Sequence, residues 1–117
     1  MTYTVAIPNW HPTRLNTLLN LHWAAANRMK HSDAQVIGVY CYQCKVPKAA
    51  GKRRVGLEII LGKGQRGGDP DAYFKVVCDA LVRLGYLKDD NRQWLDLEPV
   101  KYSRGMKATV ITITDLA

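Results

Sequence analysis

Residues 67–90 read GGDPDAYFKVVCDALVRLGYLKDD, and everything on either side is arranged around them. Asp69 suits a helix N-cap and Pro70 the first helical position. Asp71 falls in the first turn, where a carboxylate meets the positive end of the helix dipole. Phe74, Val77, Cys78 and Leu81 recur at i, i+3, i+4 and i+7, so one side of the helix is apolar. Asp71, Lys75, Asp79 and Arg83 follow at steps of four along the opposite side. Gly85 supplies the stop. The spacing predicts a helix over 70–84.

Upstream, residues 55–61 alternate Val55, Leu57, Ile59 and Leu61 with Gly56, Glu58 and Ile60, the pattern of a central, well-buried strand. Glu58 then points away from Leu57 and Ile59 and is a candidate extra metal ligand. Before that strand, residues 45–54 (KVPKAAGKRR) gather five cationic side chains around Pro47 and Gly51 into a basic loop. Residues 22–42 contain no Pro and only one Gly, Gly38. Met29, Val36, Ile37 and Tyr40 lie there near helical spacing, which predicts a second helix. Arg28, Lys30 and His31 make its first half basic, facing either phosphates or solvent. Residues 2–7 alternate Tyr3, Val5 and Ile7 as a short strand ended by Pro8, and 8–20 read as mostly irregular.

Downstream, residues 94–102 read as a strand, with Pro99 marking an edge or a bulge. Residues 103–106 read as a turn, and 108–114 (ATVITIT) as a strand rich in β-branched residues. The expected architecture is a single α+β domain over residues 1–117. About two helices pack on a mostly antiparallel or mixed sheet of about four strands.

Between strand and helix lies GKGQRGG, which contains G-x-G-x-x-G through Gly62, Gly64 and Gly67. A bound pyrophosphate needs the bare positive end of a helix. Here Asp69 and Asp71 occupy that end and repel an anion. No Gly-Lys-Ser/Thr follows, and the chain is too short for repeated βαβ units. The stretch reads as a basic loop whose Lys63 and Arg66 can touch a DNA backbone.

Charge sharpens the question. The chain carries a formal net charge of +7, yet five of its ten acidic residues lie within 67–90. Two carboxylates within one helical turn, Asp69 and Asp71, repel each other unless a cation joins them. Asp89 and Asp90 return just after the helix. Such a set suits Mg²⁺, which prefers oxygen ligands and keeps several waters, with Mn²⁺ as a substitute. The bland alternative is capping by Asp69 and an ordinary i, i+4 surface pair between Asp71 and Lys75.

The remaining excess of Lys and Arg fits a polyanionic partner, of which nucleic acid is the commonest. Three cysteines, of which Cys41 and Cys44 form a lone CxxC, do not read as a disulfide framework or a complete zinc site. No apolar run reaches membrane-spanning length. The first ten residues, MTYTVAIPNW, lack the layout of a signal peptide, so residence in the cytoplasm is expected.

The run Asp69-Pro70-Asp71-Ala72-Tyr73-Phe74-Lys75, then Cys78-Asp79-Ala80-Leu81, then Lys88-Asp89-Asp90, resembles the RusA family of Holliday junction resolvases. That family carries D-x-D-x-x-x-K at a helix start, D-A-L further along and D-D after it. The resemblance implies a homodimeric, Mg²⁺-dependent endodeoxyribonuclease that nicks four-way DNA junctions symmetrically in recombination and repair. It implies Asp69, Asp71 and Asp90 as metal ligands, Lys75 as the functional lysine, and a nucleoid-associated protein of cell or phage. Spacing prefers Asp90 to Asp89 by one residue. Asp79 is expected to orient Lys75. DNA-backbone contacts are expected from Lys45, Lys48, Lys52, Arg53, Arg54, Lys63 and Arg66. Ala72 departs from the Asn that often follows the second aspartate, which keeps open a non-catalytic DNA-binding module of the same fold.

Overall fold

A computed structural model describes residues 1–14, 17, 19–65 and 70–116, without the side chains of 70–72. Along the chain come β1 (Thr2–Pro8), α1 (Trp23–Gln43), β2 (Arg53–Leu61), α2 (Pro70–Leu84), β3 (Leu95–Leu97), β4 (Lys101–Arg104) and β5 (Ala108–Asp115). The strands form one mixed sheet in the order β1-β5-β2-β3, with β4 also pairing β2. β5 lies antiparallel to both β1 and β2. β3 and β4 run parallel to β2. Parallel neighbours need a long crossover, and α2 supplies it between β2 and β3.

Side-chain alternation decides which face of the sheet is covered. Val5 and Ile7, Ile111 and Ile113, and Val55, Leu57, Ile59 and Leu61 all point to one side and are buried. Ala34, Ile37 and Cys41 of α1 and Phe74, Val77, Cys78 and Leu81 of α2 meet them in a single core. The predicted stripe of α2 is thus the face that docks. Truncating its fully buried Leu81 to Ala would cost about 2–5 kcal/mol in lost transfer energy and cavity. The other side of the sheet carries Thr4, Ala6, Glu58, Val110 and Thr112, all exposed or half-buried.

The end of α2 is built as its sequence suggests. Gly85 adopts φ 86°, where a side chain is strained. Its N–H bonds to Val82 O at 3.1 Å and that of Tyr86 to Leu81 O at 2.9 Å, the paired closure of a Schellman motif. Tyr86 and Leu87 then bury themselves and turn the chain back along the helix.

The expected strand over 94–102 is two strands. Pro99 has no N–H to give to a ladder, so β3 ends at Leu97 and β4 begins at Lys101. β4 also extends to Arg104, into the residues read as a turn. Gly105 N–H closes that end by bonding Leu61 O at 3.0 Å.

Candidate functional site

Lys75 stands on the solvent side of α2, opposite the stripe that docks. Its ammonium lies 3.0 Å from Asp79 Oδ1, one turn on, and 2.9 Å from Asp90 Oδ2. Two carboxylates from different segments therefore share one cation. Asp90 reaches this position because the chain doubles back after Gly85. The turn that holds it is capped by its neighbour: Asp89 Oδ1 accepts the Asp90 N–H at 2.7 Å, and Asp89 Oδ2 accepts Asn91 Nδ2 at 3.3 Å. Asn91 Oδ1 in turn accepts the Gln93 N–H at 3.0 Å.

The electrostatics follow from these contacts. Bonds to Asp90 and then Asp79 raise the Lys75 pKa far above the ordinary lysine range. The same ammonium holds the Asp90 carboxyl below the usual carboxylate range. Lys75 is thus a fixed cation at neutral pH and is unsuited to take a proton as a base.

Of the three expected metal ligands, Asp90 is brought to Lys75. Asp71 is the second residue of α2, one turn before Lys75, but its side chain is outside the described residues, as is Asp69 entirely. Among the described residues no group of three or more His, Cys, Asp or Glu could hold a metal ion. The donor chemistry of the expected set is all oxygen, and Asp90 is brought to Lys75, which lies one turn after position 71 in α2. Those features fit a hard divalent cation such as Mg²⁺.

A cleft of about 540 Å³ opens beside this group. Lys75 and Asp90 line it together with Phe74, Leu97, Pro99 and Val100. Sequence reasoning missed this wall. Its one available signal was Leu97 and Val100 flanking a proline in a segment too broken to be a buried strand.

The basic loop is largely spent on the fold. Arg53 was expected to meet DNA, and that is corrected: the residue is 1% exposed. Its Nε donates to Asp115 Oδ1 at 2.7 Å, and Nη1 to the Pro47 and Tyr86 carbonyls at 2.8 and 3.0 Å. The reason is parity, since Arg53 shares a strand face with Val55 and Leu57. Lys48 Nζ donates to Leu84 O at 2.6 Å and lies 4.1 Å above the Tyr86 ring, finishing the C-terminal end of α2. Arg54 is bonded to Asp96 at 2.7 Å on the sheet face away from the helices. Lys45, Lys52 and Lys63 stay exposed, and Arg66 lies outside the described residues.

Two further expectations resolve by geometry. Glu58 accepts from Ser103 Oγ at 2.7 Å on the uncovered sheet face, so it is not an extra ligand beside α2. In the glycine loop, Gln65 Oε1 takes the Gly62 N–H at 2.7 Å, leaving that group unavailable to a phosphate. Gly67 lies outside the described residues. Cys41 is buried while Cys44, at the end of α1, is exposed. Among the described residues no helix is long and apolar enough to cross a membrane. No protein-family model matches the chain, and no curated protein sequence matches it either.

Proposed function

We propose that the chain is a divalent-metal-dependent endodeoxyribonuclease that resolves four-way DNA junctions by paired nicks, acting as a homodimer in DNA recombination and repair. The observation that carries this reading is the convergence of Asp90 and Asp79 on the ammonium of Lys75, which lies one turn beyond Asp71 on α2. An ordinary surface helix would pair Lys75 along its own length alone. Here a separate segment is folded back to place a second carboxylate on it.

Asp69, Asp71 and Asp90 would hold the metal, which supplies Lewis-acid stabilisation of the phosphate and a water of lowered pKa. With Asp90 holding the cation, Asp79 would keep Lys75 oriented, because the ammonium has a second carboxylate partner on its own helix. Lys75, charged throughout, faces the negative charge that grows on the phosphate oxygens during attack. Two copies related by a two-fold axis present two such sites to opposite strands.

The test is a synthetic four-way junction incubated with the purified protein and Mg²⁺, beside the Asp71→Asn variant. Symmetric nicks lost in the variant are expected. Binding without nicks, equal in both proteins, would overturn the enzyme and leave a DNA-binding module.

A further inference from the structure

We infer that the outer surface formed by α1 and the end of α2 is a second DNA-backbone contact, separate from the cleavage site and in register with it. The inference rests on the nuclease reading above and says where the rest of the DNA lies.

Three observations lead to it. First, α1 and α2 together bring Arg28, Lys30 and Arg83 around a depression of about 690 Å³, with Asn27, His31 and Gln35 among its other polar walls. All six side chains are exposed. Second, among the described residues these cations form no ion pair. Arg28 and Lys30 have no ion-pair partner among the described residues. Asp79 stands one turn before Arg83 and would be its natural partner, but it faces Lys75 at 3.0 Å instead. Arg83 bonds across to α1, with Nη2 3.0 Å from His31 Nδ1. A guanidinium only donates, so His31 Nδ1 accepts and the ring proton sits on Nε2. Gathered like charges without a counter-charge favour an anion between them.

Third, the surface is aligned with the site. Arg83 continues the row Asp71, Lys75, Asp79 along α2, eight residues beyond Lys75. That is about 12 Å of helix rise, or roughly three to four phosphates of one DNA strand at about 3.4 Å each. One strand entering over Lys75 would pass this depression within half a turn of duplex. The basic loop over 45–54, with Arg53 buried and Arg54 and Lys48 engaged, offers a weaker track. Two arginines, a lysine and neutral amide donors are the chemistry of phosphate contacts, which position DNA without reading its sequence.

The experiment is the salt dependence of four-way-junction binding, measured by fluorescence anisotropy without metal between about 50 and 200 mM salt. Each lost phosphate contact lowers the slope of log K against log [salt] by about 0.9. The triple variant Arg28→Ala/Lys30→Ala/Arg83→Ala is expected to lose about 2 to 3 units of slope, and Lys30→Ala alone about one. Lys101→Ala removes one charge from the opposite face of the sheet and is expected to leave the slope unchanged. Circular dichroism of each variant confirms folding, and Lys30→Ala decides the matter if the triple variant does not fold. Wild-type binding with the slope unaltered in the variants overturns this surface and leaves the nuclease reading standing. An equal loss in Lys101→Ala shows a net-charge effect and also overturns it. A wild type that binds no junction overturns both.

Discussion

The ammonium of Lys75 lies 2.9 Å from Asp90 Oδ2, although fifteen residues and a helix end separate them. Asp89, the adjacent acid, spends its carboxylate on the turn itself, accepting from the Asp90 N–H. One member of the pair builds the turn and the other is presented by it. Asp90→Asn is therefore expected to lower single-turnover nicking of a four-way junction by at least about 100-fold, as removal of a group acting directly on the reaction does. Asp89→Asn keeps an oxygen acceptor for the same N–H and should stay within a few-fold of wild type. Equal losses in the two would contradict this division.

Lys75 and a bound cation compete for Asp90. Lys75→Met should therefore bind Mg²⁺ about five- to tenfold more tightly, reflecting roughly 1 kcal/mol of repulsion removed at a solvated site. Nicking should nevertheless fall by about 100-fold or more. Titration calorimetry with Mg²⁺ and a junction assay on one preparation check both halves.

The pH dependence of that ion pair has a defined sign. Lys75 titrates above its ordinary value, so its share of stability is full below about pH 10 and is lost only as pH rises through the raised value. Asp90 titrates below its ordinary value, so its share is full above about pH 4 and disappears as pH falls through the lowered value. The stability difference between wild type and Lys75→Met should be flat from about pH 5 to 9. It should also be under about 1 kcal/mol, because both groups are well exposed. In metal-free urea titrations on the acid side it should shrink only below about pH 4.

Arg53 should matter to the fold and not to DNA. Arg53→Ala strands a carboxylate and two carbonyls, and is expected to cost about 3 kcal/mol in urea unfolding. Arg53→Lys should recover little, since an ammonium cannot reproduce the fork. The salt slope of junction binding should be unchanged in Arg53→Lys. A slope reduced by about one would restore Arg53 to the DNA surface.

The cysteines divide cleanly. Burial pushes the Cys41 thiol up to about 11 and that of Cys78 up to about 12. Thiolate is the reactive form, so neither should alkylate at pH 8 in the folded protein. Iodoacetamide should label one site natively, Cys44, and three after denaturation, as read by intact mass.

The α2 helix was legible from its first residue to its last because capping, periodicity and a terminal glycine agree over 70–84. The class of fold was legible too, since alternation in 55–61 and 108–114 marks strands without ambiguity. Strand order was not, because nothing local says that β5 inserts between β1 and β2. KRR reads as a charge run, but the odd-numbered parity of Arg53 with Val55 and Leu57 turns its side chain inward. Pro99 was seen as an edge or bulge, whereas its missing N–H splits the segment in two. Spacing and resemblance group Asp90 with Asp69 and Asp71, whereas its ion pair with Lys75 depends on the path of the chain after Gly85. The approach of Arg83 to His31 depends on how two helices cross, which no short-range pattern encodes.

The division at Pro99 also governs how the sheet can grow. On one side β2 is flanked by two short strands of three and four residues, with a proline between them. An interrupted border of that kind is a poor template for another extended chain. On the other side β1 offers seven continuous residues, paired to β5 along one edge only among the described residues. Strand addition to this protein is therefore directional: among the described residues the β1 edge favours it, and the interrupted border next to the Lys75 cleft disfavours it.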